Sequence, residues 1–375
     1  MHNRRLKTVK APLGAASLFP CGYTFLRHML KVDGAKKSGS GTVVRTAVAL
    51  AALLSEDLFL YNIRAKRDKP GLRPQHLRAV RAVAGLCGGS VDGAAVGSME
   101  LYFHPGKELR GGEHTWDIGT AGSTTMLALT VLPVAAFADR PSRFRVRGGL
   151  FQDFAPSAFH TQHVLLPTLK HMGLEAELEI LRPGYVPKGG GIIELKVKPL
   201  QGKLRPLERE ALHGELRFWG ISLSSHLKQR KVSERMAKRC QATLRRRGKD
   251  ASFSVLHDET APQPGAALAL FAEDADGCRL GADRAGAPRR SAEEIGEAVA
   301  RMLLADLDSG ATVDRHLADQ LILYAALAEG ESRYRIPTVT DHVESNLWLV
   351  EEILGASWEI RGNLLVIRGV GYVRG

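Results

Sequence analysis

Three parts of the chain repeat one order of apolar and polar positions. In each part, a stretch with apolar residues at helical spacing ends at glycine, and two short strand-like stretches follow it. The helical stretches are residues 76–87, 163–172 and 346–354, and the strand pairs are residues 90–92 with 99–103, 175–180 with 192–197, and 358–360 with 364–367. The pattern predicts three tandem copies of one α/β module, unless common helix–strand–strand pieces resemble each other by chance.

Residues 201–283 follow a different pattern. Their helix-like run, residues 228–249, holds ten Lys or Arg and one Glu. Its apolar residues recur at every fourth position, at Val232, Met236, Cys240 and Leu244. Residues 260–265 and 281–290 are typical of loops. We interpret this region as a small inserted domain with a basic face, and the alternative is an ordinary solvated helix.

The patterns divide the chain into three parts. Residues 1–30 are basic and contain no acidic residue, and Pro12 and Gly14 interrupt them too much for a signal peptide. We expect this extension to be disordered. Residues 31–200 and 284–375 form the repeated α/β domain, and residues 201–283 form the insert.

Composition is typical of a globular protein with an anionic partner. Of the 375 residues, 44% are hydrophobic and 25% charged, and the formal net charge is +12. The sequence contains no apolar run of the roughly 18 residues that a membrane span needs. The four cysteines form no metal-binding or CxxC spacing, so we expect reduced thiols and a cytoplasmic location: Cys21, Cys87, Cys240 and Cys278.

Several loops have the composition of phosphate-binding sites. Glycine-containing residues 35–41 and 118–125 each precede an apolar helix, where glycine lets the backbone approach a phosphate, although tight packing explains the same residues. Arg45 lies one turn into the first of these helices, where the alternative is an ordinary surface charge. Five Lys or Arg fall within residues 64–73, and the Pro70-Gly71 pair can converge them on one anion.

A candidate nucleophile lies in the polar turn at residues 338–346. We expect Asp341 to cap the helix that follows, which places His342 in its first turn, where amide protons and the helix dipole favour phosphate. A neutral imidazole at that position can attack phosphorus. The alternative is a surface histidine with no chemical role.

Taken together, these stretches resemble the RNA 3'-terminal phosphate cyclase family. The resemblance covers about residues 31–375, in the family's order. Its matching motifs are residues 64–67, 69–72, 75–77, 118–123, 137–139, 141–143, 189–191 and 317–320, followed by His342 with Asn346.

The resemblance implies an α/β (α+β) fold of three tandem βαβαββ-like repeats plus a smaller inserted α/β domain. It implies a ligase-class enzyme of RNA processing, in which His342 attacks the α-phosphorus of ATP and passes AMP to the 3'-terminal phosphate of RNA, so that a 2',3'-cyclic phosphate forms. The residues that match nucleotide-binding positions are Pro156, His316, Asp319, Gln320 and Asn346. Those that match positions near the RNA phosphate are Arg45, Arg64, Arg67 and Gln75. Mg²⁺ is implied as a second cofactor beside ATP.

The chain departs from the family where the family usually reads Glu-Gly-Gly-Gly-Gln. Residues 38–42 here read Ser-Gly-Ser-Gly-Thr, so Ser38 replaces the acid associated with metal, and the metal ligands stay unknown. We expect Lys36 and Lys37 to neutralise phosphate in its place. Leu129 replaces a glutamine near the nucleotide, and His316 replaces an aromatic residue that stacks on adenine. Residues 151–153 replace an Asp-Asn-Pro-like loop.

Two other functions fit the same patterns. A non-catalytic relative would bind RNA or assist ribosome assembly, and the loss of the loop acid favours it, whereas the presence of His342 opposes it. A small-molecule transferase on the same repeated module, such as an enolpyruvyl transferase, would use the cations of residues 64–69 for an anionic metabolite. The sequence leaves the physiological RNA and the oligomeric state undetermined.

Overall fold

A computed structural model describes residues 29–153 and 155–374. Nearly all of the predicted N-terminal extension, together with Cys21, lies outside the described residues. Within them, Cys87, Cys240 and Cys278 are unpaired thiols. None of the helices in the described ranges is long and apolar enough to cross a lipid bilayer.

The first structural unit has the order βαβαββ. Its elements are β1 (Met29–Asp33), α1 (Gly41–Leu54), β2 (Asp57–Tyr61), α2 (Pro74–Cys87), β3 (Ser90–Asp92) and β4 (Leu101–His104). The sheet order is β1-β2-β4-β3, with β1 parallel to β2 and the last two strands antiparallel to their neighbours. Gly88 ends α2 in the left-handed conformation, where glycine avoids the clash that a side chain would make.

The second unit repeats this order. Its elements are β5 (Gly112–Asp117), α3 (Thr124–Ala135), β6 (Ser142–Gly148), α4 (Ala158–His160), α5 (Leu166–His171), β7 (Ala176–Arg182) and β8 (Gly191–Val197). A π-helical turn, Thr161–Leu165, joins α4 to α5, so the second helical segment begins at Ala158 and not at the predicted residue 163. The sheet order is β5-β6-β8-β7, the same as in the first unit.

The third unit begins with a short strand, β9 (Glu208–Arg209), and is then interrupted by the insert. The elements of the insert are β10 (Arg217–Ser225), α6 (Val232–Arg245), β11 (Ala251–Asp258), β12 (Gly265–Glu273), β13 (Arg279–Ala285) and α7 (Ala292–Asp308). Its sheet has the order β11-β10-β12-β13. Because β13 includes residues 281–285, the loop predicted at residues 281–290 is wrong for its first half: those residues pair with β12 through the backbone.

The third unit continues after the insert and completes the repeat. Its remaining elements are α8 (Leu317–Leu327), β14 (Glu329–Arg335), α9 (Asp341–Leu354), β15 (Ser357–Arg361) and β16 (Leu364–Val370). The sheet order is β9-β14-β16-β15, again with the first two strands parallel. The predicted α+β fold of three tandem βαβαββ-like repeats with a smaller inserted domain is confirmed.

Strand pairing and helix packing support other boundaries for the insert than the predicted residues 201–283. Strand β9 pairs with β14 and therefore belongs to the third unit. Helix α7 packs on α6 and on the sheet of the insert, in one buried cluster that joins Ile295, Val299 and Leu303 to Met236 and Leu244. We therefore propose that the insert extends from β10 to the end of α7.

Much of the positive charge of helix α6 is paired with acidic residues inside the insert. Met236, Cys240 and Leu244 are buried as the apolar stripe predicted. On the other side of the helix, arginines pair with acidic residues of α7: Arg235 with Glu293, Arg239 with Glu297, and Arg247, just after the helix, with Asp308. Exposed pairs of this kind contribute at most about 1 kcal/mol each, so they orient the two helices more than they stabilise the fold.

Five helices pack in the centre of the repeated domain. Helix α1 is buried along almost its whole length and packs against α2, α3 and α9, and α8 packs against α9. Alanine and valine make up most of the surface of α1, and their small side chains let the neighbouring helices approach closely. As a result, the N-terminus of α1 meets the N-terminus of α9, although about 300 residues of sequence separate them.

Candidate active site

A cleft of about 320 Å³ lies where the three units meet. Its walls come from α1 of the first unit, α3 of the second, and α8 and α9 of the third. Seven of the ten predicted site residues line it: Arg45, Pro156, His316, Asp319, Gln320, His342 and Asn346. A volume of this size lies at the lower end of the range of small-molecule sites, about 300–1,000 Å³.

His342 lies at the rim of the cleft in the first turn of α9, as predicted. The helix cap is Thr340 rather than Asp341, because Thr340 has extended backbone angles and its hydroxyl accepts the Val343 N–H at 3.2 Å. Asp341 is instead the first helical residue, where its negative charge interacts favourably with the positive end of the helix dipole.

The His342 ring is held on one side. Its Nδ1 lies 3.0 Å from Thr42 Oγ1, and Arg45 Nη2 donates to the same oxygen at 3.1 Å. Its Nε2 makes no hydrogen bond to any residue of the two described ranges. Partial burial lowers the pKa of His342, and the cations of Arg45 and Arg67 lower it further. The lowered pKa favours the neutral ring at pH 7, and Nε2 is available to a ligand in the cleft.

A chain of hydrogen bonds joins α1, α9 and α8 beneath His342. Thr46 Oγ1 donates to Asn346 Oδ1 at 3.0 Å, and Asn346 Nδ2 donates to the carbonyl of Asp319 at 3.0 Å. The predicted nucleotide-binding residue Asn346 thus also ties the three helices together. Burial raises the pKa of Asp319 to about 7, although the nearby Arg45 opposes the rise.

Polar atoms in the inner wall of the cleft lack partners. Both side-chain amide atoms of Gln320 and the hydroxyl of Tyr324 are buried and have no hydrogen bond within the described part of the chain. Buried polar atoms without partners are costly in a folded protein, and they mark places where a ligand supplies the missing bonds. Leu129 lines the same cleft and offers apolar contact where the resembling family has an amide.

His316 is positioned by a buried ion pair. Its half-buried ring packs edge-on against the ring of His160, with centroids 5.6 Å apart. His160 Nε2 lies 3.0 Å from each carboxylate oxygen of Asp314, and both side chains are fully buried. Burial disfavours the charged form of each residue, but the attraction between the two charges outweighs it. The pKa of His160 is therefore raised, and that of Asp314 is lowered to about 2.

The remaining predicted residues border the cleft without lining it. Arg64 Nη1 donates to the carbonyls of Lys69 and Gly71 at 2.7 and 2.8 Å, and so closes its own loop. Arg67 Nη2 donates to the carbonyl of Ser38 at 3.2 Å, which brings the loop against the N-terminal end of α1. Burial lowers the pKa of Arg64, and the positive charges of Arg73 and Arg67 lower it further.

Gln75 and His76, next to each other in the sequence, reach different partners. Gln75 Oε1 accepts the Ser123 N–H at 3.0 Å, which connects the loop before α2 to the loop before α3. His76 is buried and its Nδ1 accepts the Arg73 N–H at 3.2 Å. Burial, followed by the charge of Arg45, lowers the pKa of His76 to about 3, so this ring is neutral.

The serine-rich loop before α1 is bonded to α9. Ser345 Oγ donates to Ser38 Oγ at 2.8 Å, and the Ser38 N–H donates to Ser345 Oγ at 3.1 Å. The two predicted phosphate lysines lie elsewhere: Lys36 Nζ sits 4.6 Å above the Trp348 ring, and Lys37 Nζ lies 3.7 Å from a Glu344 oxygen. Neither lysine lines the cleft.

Sequence reasoning missed Thr42, His76 and the His160–Asp314 pair. Thr42 lies 300 residues from the histidine that it contacts. His160 and Asp314 lie 154 residues apart, and neither stands in a recognisable motif. The histidine count alone offered no means of separating His160 from the other twelve.

The sequence matches the model of the family described as RNA 3'-terminal phosphate cyclase over residues 36–360. A relative with that name from Methanopyrus kandleri is 39% identical over 343 residues, which cover 89% of this chain and 96% of the relative. Relatives with the same name from Methanothermobacter thermautotrophicus and Pyrococcus furiosus are 40% and 36% identical. They cover 89% and 90% of this chain, and 97% and 96% of their own length.

Among solved structures, the enolpyruvyl transferase NikO from Streptomyces tendae is 19% identical, with a TM-score of 0.27. The match covers 46% of this chain and 34% of that one. A likeness this small carries no argument about fold or function.

Proposed function

This chain belongs to the RNA 3'-terminal phosphate cyclase family, and we propose that it converts an RNA 3'-terminal phosphate into a 2',3'-cyclic phosphate with ATP as co-substrate. In this proposal His342 is the nucleophile. Its Nε2 lone pair attacks the α-phosphorus of ATP, an N–P bond forms, and pyrophosphate leaves with the electron pair of the broken P–O bond. The observation that carries the proposal is the position of His342 in the lining of the cleft, with Nδ1 against Thr42 and Nε2 without a hydrogen-bond partner among the described residues.

The inner cleft supports nucleotide binding. The His316 ring and Pro156 both line it and offer flat or apolar faces for a base. The amide of Gln320 and the hydroxyl of Tyr324 have no protein partner in the described residues and can bond the edge of a base. Asp319 and Asn346 complete the predicted nucleotide set. Arg45, which was predicted to lie near the RNA phosphate, brings a positive charge next to His342.

Three arginine side chains support binding of the RNA phosphate: Arg64, Arg67 and Arg73. Arg64 and Arg67 belong to one loop, residues 64–73. Arg67 donates to the carbonyl of Ser38, in the loop before α1, and Thr42 of α1 lies against His342. Arginine suits a terminal phosphate because its planar fork makes two charge-assisted hydrogen bonds to it.

In the later steps, an oxygen of the RNA phosphate attacks the phosphorus bound to His342, and the N–P bond breaks. The oxygen of the neighbouring 2'-hydroxyl then attacks the activated phosphorus and loses its proton to solvent, while the P–O bond to AMP breaks and AMP leaves.

The residues around the first loop do not fit a divalent ion held by the protein. Ser38 is neutral, buried and hydrogen-bonded to Ser345. In residues 29–153 and 155–374, no group of three or more His, Cys, Asp or Glu side chains is arranged to hold a metal. We assign no protein ligand to Mg²⁺ and derive no step through it.

Labelling with ATP tests the proposal. Protein incubated with ATP labelled at the α-phosphate is expected to gain acid-labile label, and the label is expected to move to AMP when RNA with a 3'-phosphate is added. His342→Ala abolishes labelling without unfolding the protein, because the residue is exposed and contributes little packing. His213→Ala, at an exposed histidine between β9 and β10, is the matched control and keeps native labelling.

A non-catalytic RNA-binding role is the second candidate, and the neutral Ser38 favours it. That role predicts binding of RNA without any label on the protein. Native protein that binds 3'-phosphate RNA but gains no label, at any Mg²⁺ concentration, therefore decides for it.

A further inference from the structure

We propose that Thr42 is a positioning residue that holds His342 in the tautomer with the proton on Nδ1, and that gives its own hydroxyl proton to a phosphate oxygen of the nucleotide. The proposal rests on the proposed function and deepens it. Thr42 lines the cleft, and its hydroxyl lies 3.0 Å from His342 Nδ1.

The position of the hydroxyl is determined by its surroundings. Thr42 is 6% exposed and lies in the first turn of α1, where its N–H donates to the Ser40 hydroxyl at 3.2 Å. Arg45 lies three residues further along the same helix face and donates to Thr42 Oγ1. His342 approaches the same oxygen from α9. Two helices thus hold one hydroxyl between a guanidinium group and an imidazole.

A hydroxyl has one proton to donate and two lone pairs that accept. Arg45 occupies one lone pair, because a guanidinium group only donates. If the His342 Nδ1–H donates to the second lone pair, Nε2 carries no proton and is a nucleophile. If the Thr42 O–H donates to Nδ1 instead, the ring proton lies on Nε2 and blocks attack.

A bound phosphate selects between these arrangements. Phosphate oxygens only accept hydrogen bonds near neutral pH, so the Thr42 oxygen can meet one only with its proton. Since Arg45 and Thr42 share the wall of the cleft beside His342, an anion that pairs with Arg45 lies within reach of that hydroxyl. Once the hydroxyl proton is directed to phosphate, the Nδ1–H must donate to Thr42. Nucleotide binding therefore prepares Nε2 for attack.

The charge balance of the reaction agrees with this role. When Nε2 attacks the α-phosphorus and pyrophosphate leaves, the ring keeps its Nδ1 proton and becomes cationic. Thr42 Oγ1 then accepts a charge-assisted hydrogen bond, which is stronger than a neutral one. When the RNA phosphate displaces the ring, the electron pair returns to Nε2 and the hydrogen bond weakens again.

Thr42→Val tests the proposal, because valine keeps the shape of threonine and removes the hydroxyl. We expect single-turnover labelling by ATP to slow by about 10- to 100-fold, the cost of one hydrogen bond to a developing cation. We expect nucleotide affinity to change less than this rate. Thr42→Ser restores most of the rate. Thr168→Val removes a buried hydroxyl that donates to the Val164 carbonyl and does not line the cleft, and it serves as the matched control.

Nitrogen NMR of the full chain with labelled histidine measures the tautomer directly, and His342→Asn identifies the signals of this ring. With the non-cleavable analogue α,β-methylene-ATP, native protein is expected to carry the proton on Nδ1, and Thr42→Val to shift it toward Nε2. If Thr42→Val does not fold, Thr42→Ala is measured in its place. A native ring protonated at Nε2 with the analogue bound overturns the proposal, as does native labelling rate in Thr42→Val.

These outcomes separate the two proposals. If native protein gains label through His342 while Thr42→Val labels equally fast, the proposed function stands and the role of Thr42 falls. If native protein gains no label, the proposed function falls, and the tautomer in the analogue complex still decides the role of Thr42.

Discussion

Asp314→Ala is expected to be among the most damaging single changes near the cleft. The Asp314 carboxylate is fully buried and accepts hydrogen bonds from the N–H groups of Gly281, His316 and Leu317 at 2.8–2.9 Å, besides its ion pair with His160. Its partners belong to the insert, to the second unit and to the start of α8. One side chain thus connects three parts of the fold.

The contacts of Asp314 set the size of the effect. Removal leaves three buried N–H donors without an acceptor, each at a cost of about 1–3 kcal/mol unless water replaces the carboxylate. It also leaves His160 without a counter-ion, and breaking a buried pair in this way typically costs about 3–5 kcal/mol. These costs overlap, because His160 can lose its proton. We therefore expect the free energy of unfolding to fall by about 3–5 kcal/mol.

Urea denaturation of native and variant protein measures this loss. Asp308→Ala is the control, because it also removes a carboxylate from an arginine pair, but one that is about half exposed, so we expect a loss below about 1 kcal/mol. Asp314→Ala should further weaken binding of ATP, since the backbone and ring of His316 lose their supports. Loss of no more than the control value, with native ATP affinity, would refute the reasoning.

The same pair predicts a direction for the pH dependence of stability. The pKa of Asp314 is lowered in the folded protein, from 3.8 to about 2, so its contribution is present above pH 3.8 and is lost as pH falls toward 2. The pKa of His160 is raised, so its contribution is present below its ordinary pKa of 6.5 and is lost as pH rises through the higher folded value. Urea denaturation of Asp314→Asn across this range should lack both slopes.

Four further substitutions test the surroundings of the cleft. Arg64→Ala and Arg67→Ala should each reduce cyclisation of 3'-phosphate RNA by at least about tenfold while sparing labelling by ATP; loss of labelling with retained RNA affinity would assign these arginines to ATP. Gly41→Ala should lower both stability and labelling, because a Cβ there would lie 2.1 Å from His76 Nε2, and a native melting temperature would contradict this. Lys37→Ala should leave labelling unchanged at every Mg²⁺ concentration, since this lysine lies outside the cleft; lost labelling would restore the expectation drawn from the sequence.

Lys36 and Lys37 show that adjacency along the chain does not determine where a side chain points. The two lysines stand next to Ser38, and adjacency along the chain suggested that their charge replaces the missing acid. In the structure, the loop is bonded to α9 through Ser38 and Ser345, and the lysines extend over Trp348 and toward Glu344. The direction of a side chain depends on the backbone of its loop, and here Lys37 itself adopts a positive φ of 54°.

The insert boundary has a similar explanation. Helix α7 has an amphipathic pattern that predicts one buried face, but the pattern does not say which sheet covers it. Only the packing of Ile295 and Val299 on Met236 assigns the helix to the insert. The cap of α9 was equally ambiguous, because Thr340 and Asp341 are neighbours and both side chains can cap a helix.

The sequence by itself determined the features that arise from short-range physics. Helical periodicity and glycine stops gave α1, α2 and α9 close to their observed ends, and the order of these patterns predicted the three repeats. The arginines of the loop at residues 64–73 could be grouped because they are close along the chain. His342 was recognised because the turn that precedes a helix is a local feature.

Only the tertiary structure decided which distant groups share the site. Thr42 and His342 lie 300 residues apart, and His160 and Asp314 lie 154 residues apart, yet each pair meets at 3.0 Å. Nothing in the spacing of such residues records their contact. The contact exists because burial of the apolar faces of α1, α3, α8 and α9 brings the three units around one cleft, and the polar groups at the helix ends are carried there by that packing.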